Sequence, residues 1–486
     1  MTDPSHSAAD ASLTKRIAVV GGGIAGLAAA QRLLTLAPTA EVALFEASGR
    51  LGGVLRTDRV DGYLIERSAD NFITNLPWGL ELCRELGIES ELLPTDPQRR
   101  KALVVSRGKL HPVPAGFQLL TPSQAWPLAT SPLLSFGGKL RMAAEYFVPR
   151  RSPGLTDESL ESFAVRRLGR EAYERLVQPL VSGIFTADPR KLSMRAALPK
   201  FWEVEQRYGG LIRAARATGG DEKTSMREAS GARYGMFVAP RDGMGRIVDA
   251  LAAKFPAGSV RLNTPVARLR RDGELWQLTT SAGDAQAFDA VVVALPAPQA
   301  AKLLADVDAP LADDLGRIEY AGATIAISGY RLEQIANPLE CFGFVVPDVE
   351  KRDILAASFS SRKFPGRAPE GCVLVRTFLG GALRRDLLEI DDAEVRRIVR
   401  RELGELIGAK GEPHLFEVAR WNGAMPQYHV GHVDLVERIE TRAAALPGLA
   451  LVGNAYRGVG VPQCVHGART AVERILGVKP SRGSKG

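Results

Sequence analysis

The stretch "VVGGGIAGLAAAQRL", beginning at Val19, constrains the fold more than any other part of the chain. It overlaps "RIAVV" (16–20), a β-branched run that reads as a buried strand. Gly21, Gly23 and Gly26 then fall on the G-x-G-x-x-G positions, and "IAGLAAAQRLL" reads as a helix with small residues towards a sheet. The first glycine permits a tight turn, the second lets the backbone approach a pyrophosphate, and the third lets helix and strand pack closely. The helix N-terminus suits phosphate charge. A second strand, "EVALFEA", carries Glu46 at its end, 20 residues beyond Gly26, where an acid that bonds a ribose hydroxyl belongs. Glutamate there suits a free 2′-hydroxyl and repels a 2′-phosphate. A glycine turn with no ligand is the competing reading. Strand, helix, second strand and acid in this order count against it.

Composition narrows the partners. The formal net charge of +8 points to an anionic partner: nucleic acid, a membrane surface or an acidic small molecule. Surplus solvated arginine is the alternative. The arginines are scattered, and neither zinc-finger spacing nor aromatic–basic alternation occurs, so no nucleic acid is expected. Cys83, Cys341, Cys372 and Cys464 form no close pair, so neither a disulfide framework nor a metal site is expected. The opening "MTDPSHSAADASL" has no basic start and no apolar run. Residues 1–14 therefore read as a disordered tail and not as a signal peptide. No apolar run approaches the ~20 residues that span a bilayer. A cytoplasmic location is expected, with a peripheral contact on the cytoplasmic membrane left open.

A second glycine-rich turn, "ASGRLGGVLRT", follows Glu46 and brings Arg50, Gly52 and Gly53 back towards the first. Arg50 is expected to reach a phosphate, and the two glycines to allow close backbone approach. This resembles the flavoproteins with two dinucleotide-binding motifs, among them amine oxidases, carotenoid desaturases and porphyrinogen oxidases. The resemblance implies that the stretch contacts FAD. It also implies that "YLIERSADNF" passes the isoalloxazine ring through the backbone of Ser68, Ala69 and Asp70. A solvated hairpin turn is the other reading of these three residues.

The expected architecture is α/β, with a discontinuous Rossmann-like FAD-binding domain over 15–89, 240–304 and 421–486. A mainly helical insertion is expected over 90–235, as a membrane or substrate-channel domain. A mixed-sheet substrate-binding domain is expected over 305–420. "RLRRDGELWQL" reads as a hairpin turning at Asp272-Gly273, and "GDEKTSMREASGARYG" as an exposed loop. Near the C-terminus "LALVG" reads as a strand, turned by Gly453, and "GVGVP" leads into a helix. Gly460, Val461 and Pro462 at its N-terminus are the expected contacts for the flavin N1–O2 edge.

Five stretches carry a closer resemblance: "LGGVLRT", "GKLHPVPAG", "LVSGIFTADPRKLSMRAALP", "WNGAMPQYHVGH" and "VGNAYRGVGVPQCVHGAR". Taken in order over residues 15–478, they resemble the oxygen-dependent protoporphyrinogen and coproporphyrinogen oxidases. The resemblance implies non-covalent FAD and a six-electron oxidation of protoporphyrinogen IX to protoporphyrin IX, with molecular oxygen reduced to hydrogen peroxide. Coproporphyrinogen III is the alternative tetrapyrrole, and the positive charge leans towards this more acidic substrate. The resemblance also implies that Val266 lies beside the adenine and Trp421 near the flavin. Some members pin a propionate with an arginine before the "LHPVPAG" hairpin. Here Ala102 takes the best-fitting position, while Arg99, Arg100 and Lys101 cluster nearby. Gly322 and Ala323 of "YAGATIA" offer a second surface for ring approach. No catalytic acid or base is assigned; His429, His432 and His466 are the histidines at hand. The family often forms dimers, so a homodimer stays open. An amine oxidase, a carotenoid desaturase and a flavin-retaining scaffold without turnover are the rivals.

Overall fold

The computed structural model describes residues 14–115, 117–122, 125–217 and 236–478. The expected tail and the expected loop over 220–235 lie outside these, save Thr14. Five parallel strands form the first sheet, in the order Val260–Arg261, Glu41–Phe45, Arg16–Val20, Ala290–Val293, Leu449–Leu451. Alternation along each strand sends side chains to opposite faces. Ile17, Val19, Leu44 and Val292 pack under the helices Ile24–Leu36 and Val461–Ile475. Ala18, Val20, Phe45 and Val293 face a second core with Trp276, Leu278 and Phe288. These last three belong to a three-stranded sheet over 266–288. Its first hairpin turns at Asp272-Gly273, with Asp272 paired to Leu275 and Gly273 at φ 58°.

A seven-stranded mixed sheet forms the second layer, in the order Leu415–Pro426, Tyr320–Arg331, Cys372–Gly380, Ala356–Phe359, Gly343–Val345, Ala102–Ser106, Lys109–Pro112. Two expected boundaries shift here. Residues 102–112 belong to this sheet and not to a helical insertion, because Ala102–Val104 pairs in parallel with Gly343–Val345. Residues 421–426 complete a strand of the same sheet, so Trp421 comes from the mixed sheet.

The described part of 125–217 is helical. Arg167 and Glu145 form a fully buried ion pair at its centre, 2.5 Å apart.

Candidate cofactor and substrate site

The glycine turn is built as its spacing demands. Gly21 sits at φ +110°, and a Cβ there would lie 2.5 Å from the Ala294 carbonyl oxygen. A Cβ on Gly26 would overlap the Gly21 carbonyl. Gly23 differs: a Cβ there would meet nothing within 4 Å. The protein needs the outer two glycines for its own packing and leaves the middle one facing open space. Gly23 is also the N-cap of the Ile24–Leu36 helix, which has no side-chain cap and no acidic residue in its first turn. The N–H groups at this helix end are thus left for an anion.

Glu46 is fixed beside the turn. One carboxylate oxygen accepts from the Gly22 N–H at 2.7 Å, and the other from the Ser48 N–H and hydroxyl at 2.8 and 2.7 Å. The Glu46 carbonyl accepts from the Thr264 N–H at 2.9 Å, which brings half-buried Val266 close by. The two glycine turns meet directly. The Gly52 N–H donates to the Gly22 carbonyl at 2.8 Å, and a Cβ on Gly53 would lie 3.1 Å from the Gly23 Cα. The Arg50 guanidinium donates to the carbonyls of Leu51, Gly53 and Leu55 and so ties up its own loop.

From the second turn a track of contacts runs to the mixed sheet. The Ser68 hydroxyl donates to the Val54 carbonyl at 2.6 Å, and the Trp421 Nε1–H donates to the Arg67 carbonyl at 2.5 Å. Trp421 pairs with Ala323, beside a register shift that holds Gly322. A Cβ on Gly322 would crowd the Leu388 side chain at 2.9 Å, so packing accounts for this glycine. Ala69 is exposed on the track.

Asp70 holds more than a backbone position. Its carboxylate lies 2.8 Å from Lys363 Nζ and 3.3 Å from the Arg376 guanidinium, which also donates to the Ser68 carbonyl. Burial alone would raise the Asp70 carboxyl; Lys363 and Arg376 outweigh it and hold it at about 2. Sequence reasoning missed both cations. They stand about 300 positions from Asp70 along the chain. The one available signal was a charged residue, Arg376, inside the apolar run "CVLVRTFLG".

The C-terminal helix begins at Gly460 with no side-chain cap and with Pro462 in its first turn. Gly453, at φ 141°, turns the chain off the Leu449–Leu451 strand. Tyr428 grips the approach: its hydroxyl donates to the Asn454 carbonyl at 2.6 Å and accepts from the Gly458 N–H at 2.9 Å. His432 stacks on Tyr428 with its Nε2 3.2 Å from the Tyr456 carbonyl, and burial lowers its pKa to about 4. His466 stacks on Trp78, and His429 lies 3.7 Å from Glu319. Cys464 is buried and free, and desolvation pushes its thiol up to about 12.

A cleft of about 490 Å³ opens between the helical region and the mixed sheet, and Arg170, Arg190, Lys351, Arg352 and Arg384 line it beside four acidic residues. An inner space shares Gln178, Arg352 and Arg384 with it and reaches Thr186, Gly380 and Gly381. Gly380 pairs with Ala323, and Ala323 with Trp421, on adjacent strands of the mixed sheet. Arg99 and Arg100 line neither space. Arg99 pairs with Asp96 and Glu340, and Arg100 bonds Thr95, which uses both within their own loop and its neighbour.

An open glycine, two uncapped helix ends and a fixed acid suit a dinucleotide. Residues 24–476 match the family described as flavin containing amine oxidoreductase. Coproporphyrinogen III oxidase of Propionibacterium freudenreichii subsp. freudenreichii is 34% identical, over 95% of this chain and 90% of that protein. Protoporphyrinogen oxidase 1, chloroplastic, of Arabidopsis thaliana is 30% identical, over 95% of this chain and 88% of that protein. A crystal structure of an Exiguobacterium sp. 255-15 protein superposes with a TM-score of 0.84 at 29% identity, covering 95% of this chain and 98% of that one. The chain therefore belongs to the flavin-containing amine oxidoreductases, in their porphyrinogen oxidase branch, and is an oxidoreductase with FAD as its cofactor.

Proposed function

We propose that this chain oxidises coproporphyrinogen III to coproporphyrin III, with three dioxygen molecules reduced to three hydrogen peroxide. The observation that carries this choice is the 34% identity, over 95% of this chain, to a protein named coproporphyrinogen III oxidase. A tetrapyrrole is a broad apolar disc with carboxylate arms, and guanidinium groups bind carboxylates well. The cleft offers five cationic side chains, each ion-paired with a carboxylate that a substrate arm would have to displace.

In this reading the backbone at Gly23 and the Ile24–Leu36 helix end hold the pyrophosphate. Glu46 takes the ribose, and Val266 lies beside the adenine. Ser68–Asp70, Trp421 and the Gly453 turn with Gly460–Pro462 frame the flavin ring. Bound FAD supplies a two-electron acceptor. The chain supplies placement: it holds the macrocycle's saturated meso carbon against the flavin and excludes side reactions. No side chain is needed as a strong base, because a pyrrole nitrogen or water can take the proton. Asp70 is held ionised by its cations and His432 is buried and neutral, so both act as fixed groups at neutral pH.

Porphyrin fluorescence and peroxide release, followed with each porphyrinogen, test this. The expected result is a higher kcat/KM for coproporphyrinogen III, with three peroxide per porphyrin. A higher value for protoporphyrinogen IX overturns the substrate choice, and no porphyrin from either overturns the reaction.

One observation favours a peripheral membrane contact in addition. Trp126, Phe136, Leu140 and Phe147 are 77, 76, 56 and 79% exposed, and they fall within 22 consecutive residues that also carry Lys139. Aromatic and aliphatic side chains beside cations suit a bilayer interface. No helix of the described residues is long and apolar enough to cross a membrane. The chain is expected to co-sediment with phosphatidylglycerol vesicles, and Trp126→Ser with Phe147→Ser to weaken this at least ~10-fold. A wild-type chain that stays in the supernatant at low and high salt contradicts it.

A further inference from the structure

We propose that Lys363, Arg376 and Asp70 form a charge device behind the 67–70 segment that sets the reduction potential of the bound flavin. This rests on the FAD placement above. The three side chains are 13, 2 and 13% exposed, so little water screens them. Two cations share one carboxylate. A third, Arg367, is 1% exposed and donates to the carbonyls of Pro240 and Arg241. A further buried carboxylate, Glu66, is held by the Met244 N–H and the Thr57 hydroxyl. Burial pushes Glu66 up to about 7, and even when it is ionised three cations stand against these two carboxylates. The balance behind the segment is positive.

The segment is also pinned. Trp421 bonds the Arg67 carbonyl, Arg376 bonds the Ser68 carbonyl, and the Ser68 hydroxyl bonds Val54. The distance between the cations and anything lying on this backbone is therefore fixed. Stability alone is a weak reason for such a cluster, because buried ion pairs often stabilise no more than apolar residues of similar volume. A fixed positive charge in a poorly screened site does favour the electron-rich form of a nearby ring. Lys363 and Arg376 act on the cofactor through space, not by contact with substrate.

The test uses two variants of the FAD-loaded full-length chain with opposite expected signs. Each is titrated anaerobically against a redox dye, and the ratio of oxidised to reduced flavin is read at one dye ratio. Lys363→Met is expected to shift that ratio at least 10-fold towards oxidised flavin, which is about 30 mV for a two-electron couple. Asp70→Asn is expected to shift it towards reduced flavin, and Lys363→Arg to restore the wild-type value. A merely structural role would move both variants in one direction or leave the ratio unchanged, and either result overturns the proposal. Should Asp70→Asn lose flavin, the Lys363 pair still decides: an unchanged ratio in Lys363→Met refutes it. A wild-type chain that binds no FAD refutes the cofactor placement instead.

Discussion

Gly23→Val is expected to give a folded protein that purifies colourless. The position tolerates a side chain: its φ is −72°, and no atom lies within 4 Å of the place a Cβ would take. A valine there fills the space that the pyrophosphate needs, so FAD affinity should fall at least ~100-fold, about 2.8 kcal/mol. Unfolding of the apo forms should be unchanged. Gly26→Ala is the contrast, because its Cβ falls on the Gly21 carbonyl and the fold itself must shift. Equilibrium dialysis with FAD, paired with thermal unfolding of apo protein, separates the two. A Gly23→Val protein that keeps wild-type flavin content contradicts the cofactor placement.

Arg167→Met should destabilise the helical region by about 3–5 kcal/mol, the usual cost of removing one partner from a buried pair. Arg167 is fully buried, pairs with Glu145 and donates to the carbonyls of Val148, Pro149 and Gly209. Glu145 in turn accepts from the N–H groups of Leu211 and Ile212. Methionine fills the volume but leaves that carboxylate without its counter-charge and three carbonyls without this donor. Arg167→Lys should recover only part of the loss, since one ammonium cannot reproduce the fork. Urea unfolding reads the difference, and a change within about 0.5 kcal/mol contradicts this role.

The same node carries a pH dependence. Burial would raise the neighbouring Glu205, but Arg166, Arg167 and Arg151 outweigh it and hold its pKa below the ordinary value. A lowered carboxylate contributes stability that is complete above its unfolded pKa, about 4.3, and is lost as pH falls through the folded value. The helical region should therefore loosen in acid and gain nothing further from this group above neutral pH.

The glycine turn and the place of Glu46 were legible because their signals are local. Gly21, Gly23, Gly26 and Glu46 lie within 26 residues, and each spacing follows from one strand–turn–helix–strand unit. The hairpin at Asp272-Gly273 was legible for the same reason. The mixed sheet was less so. Ala102–Val104 finds its parallel partner at Gly343–Val345, and no local pattern encodes a pairing over that distance. The charged residues were the least legible. Arg50, Arg99 and Arg100 are drawn to nearby carbonyls and carboxylates that a sequence does not rank, while the Asp70 cations arrive from a remote short helix and a remote strand. Charge says what a side chain can bind; only the fold says which partner is within reach.

The most direct measurement mixes FAD-loaded protein anaerobically with coproporphyrinogen III, and separately with protoporphyrinogen IX, and follows the visible flavin band. Bleaching with both, faster with coproporphyrinogen III and reversed by oxygen, is the predicted result. Protein that contains FAD and keeps its band with either porphyrinogen would contradict porphyrinogen oxidation as the function of this chain.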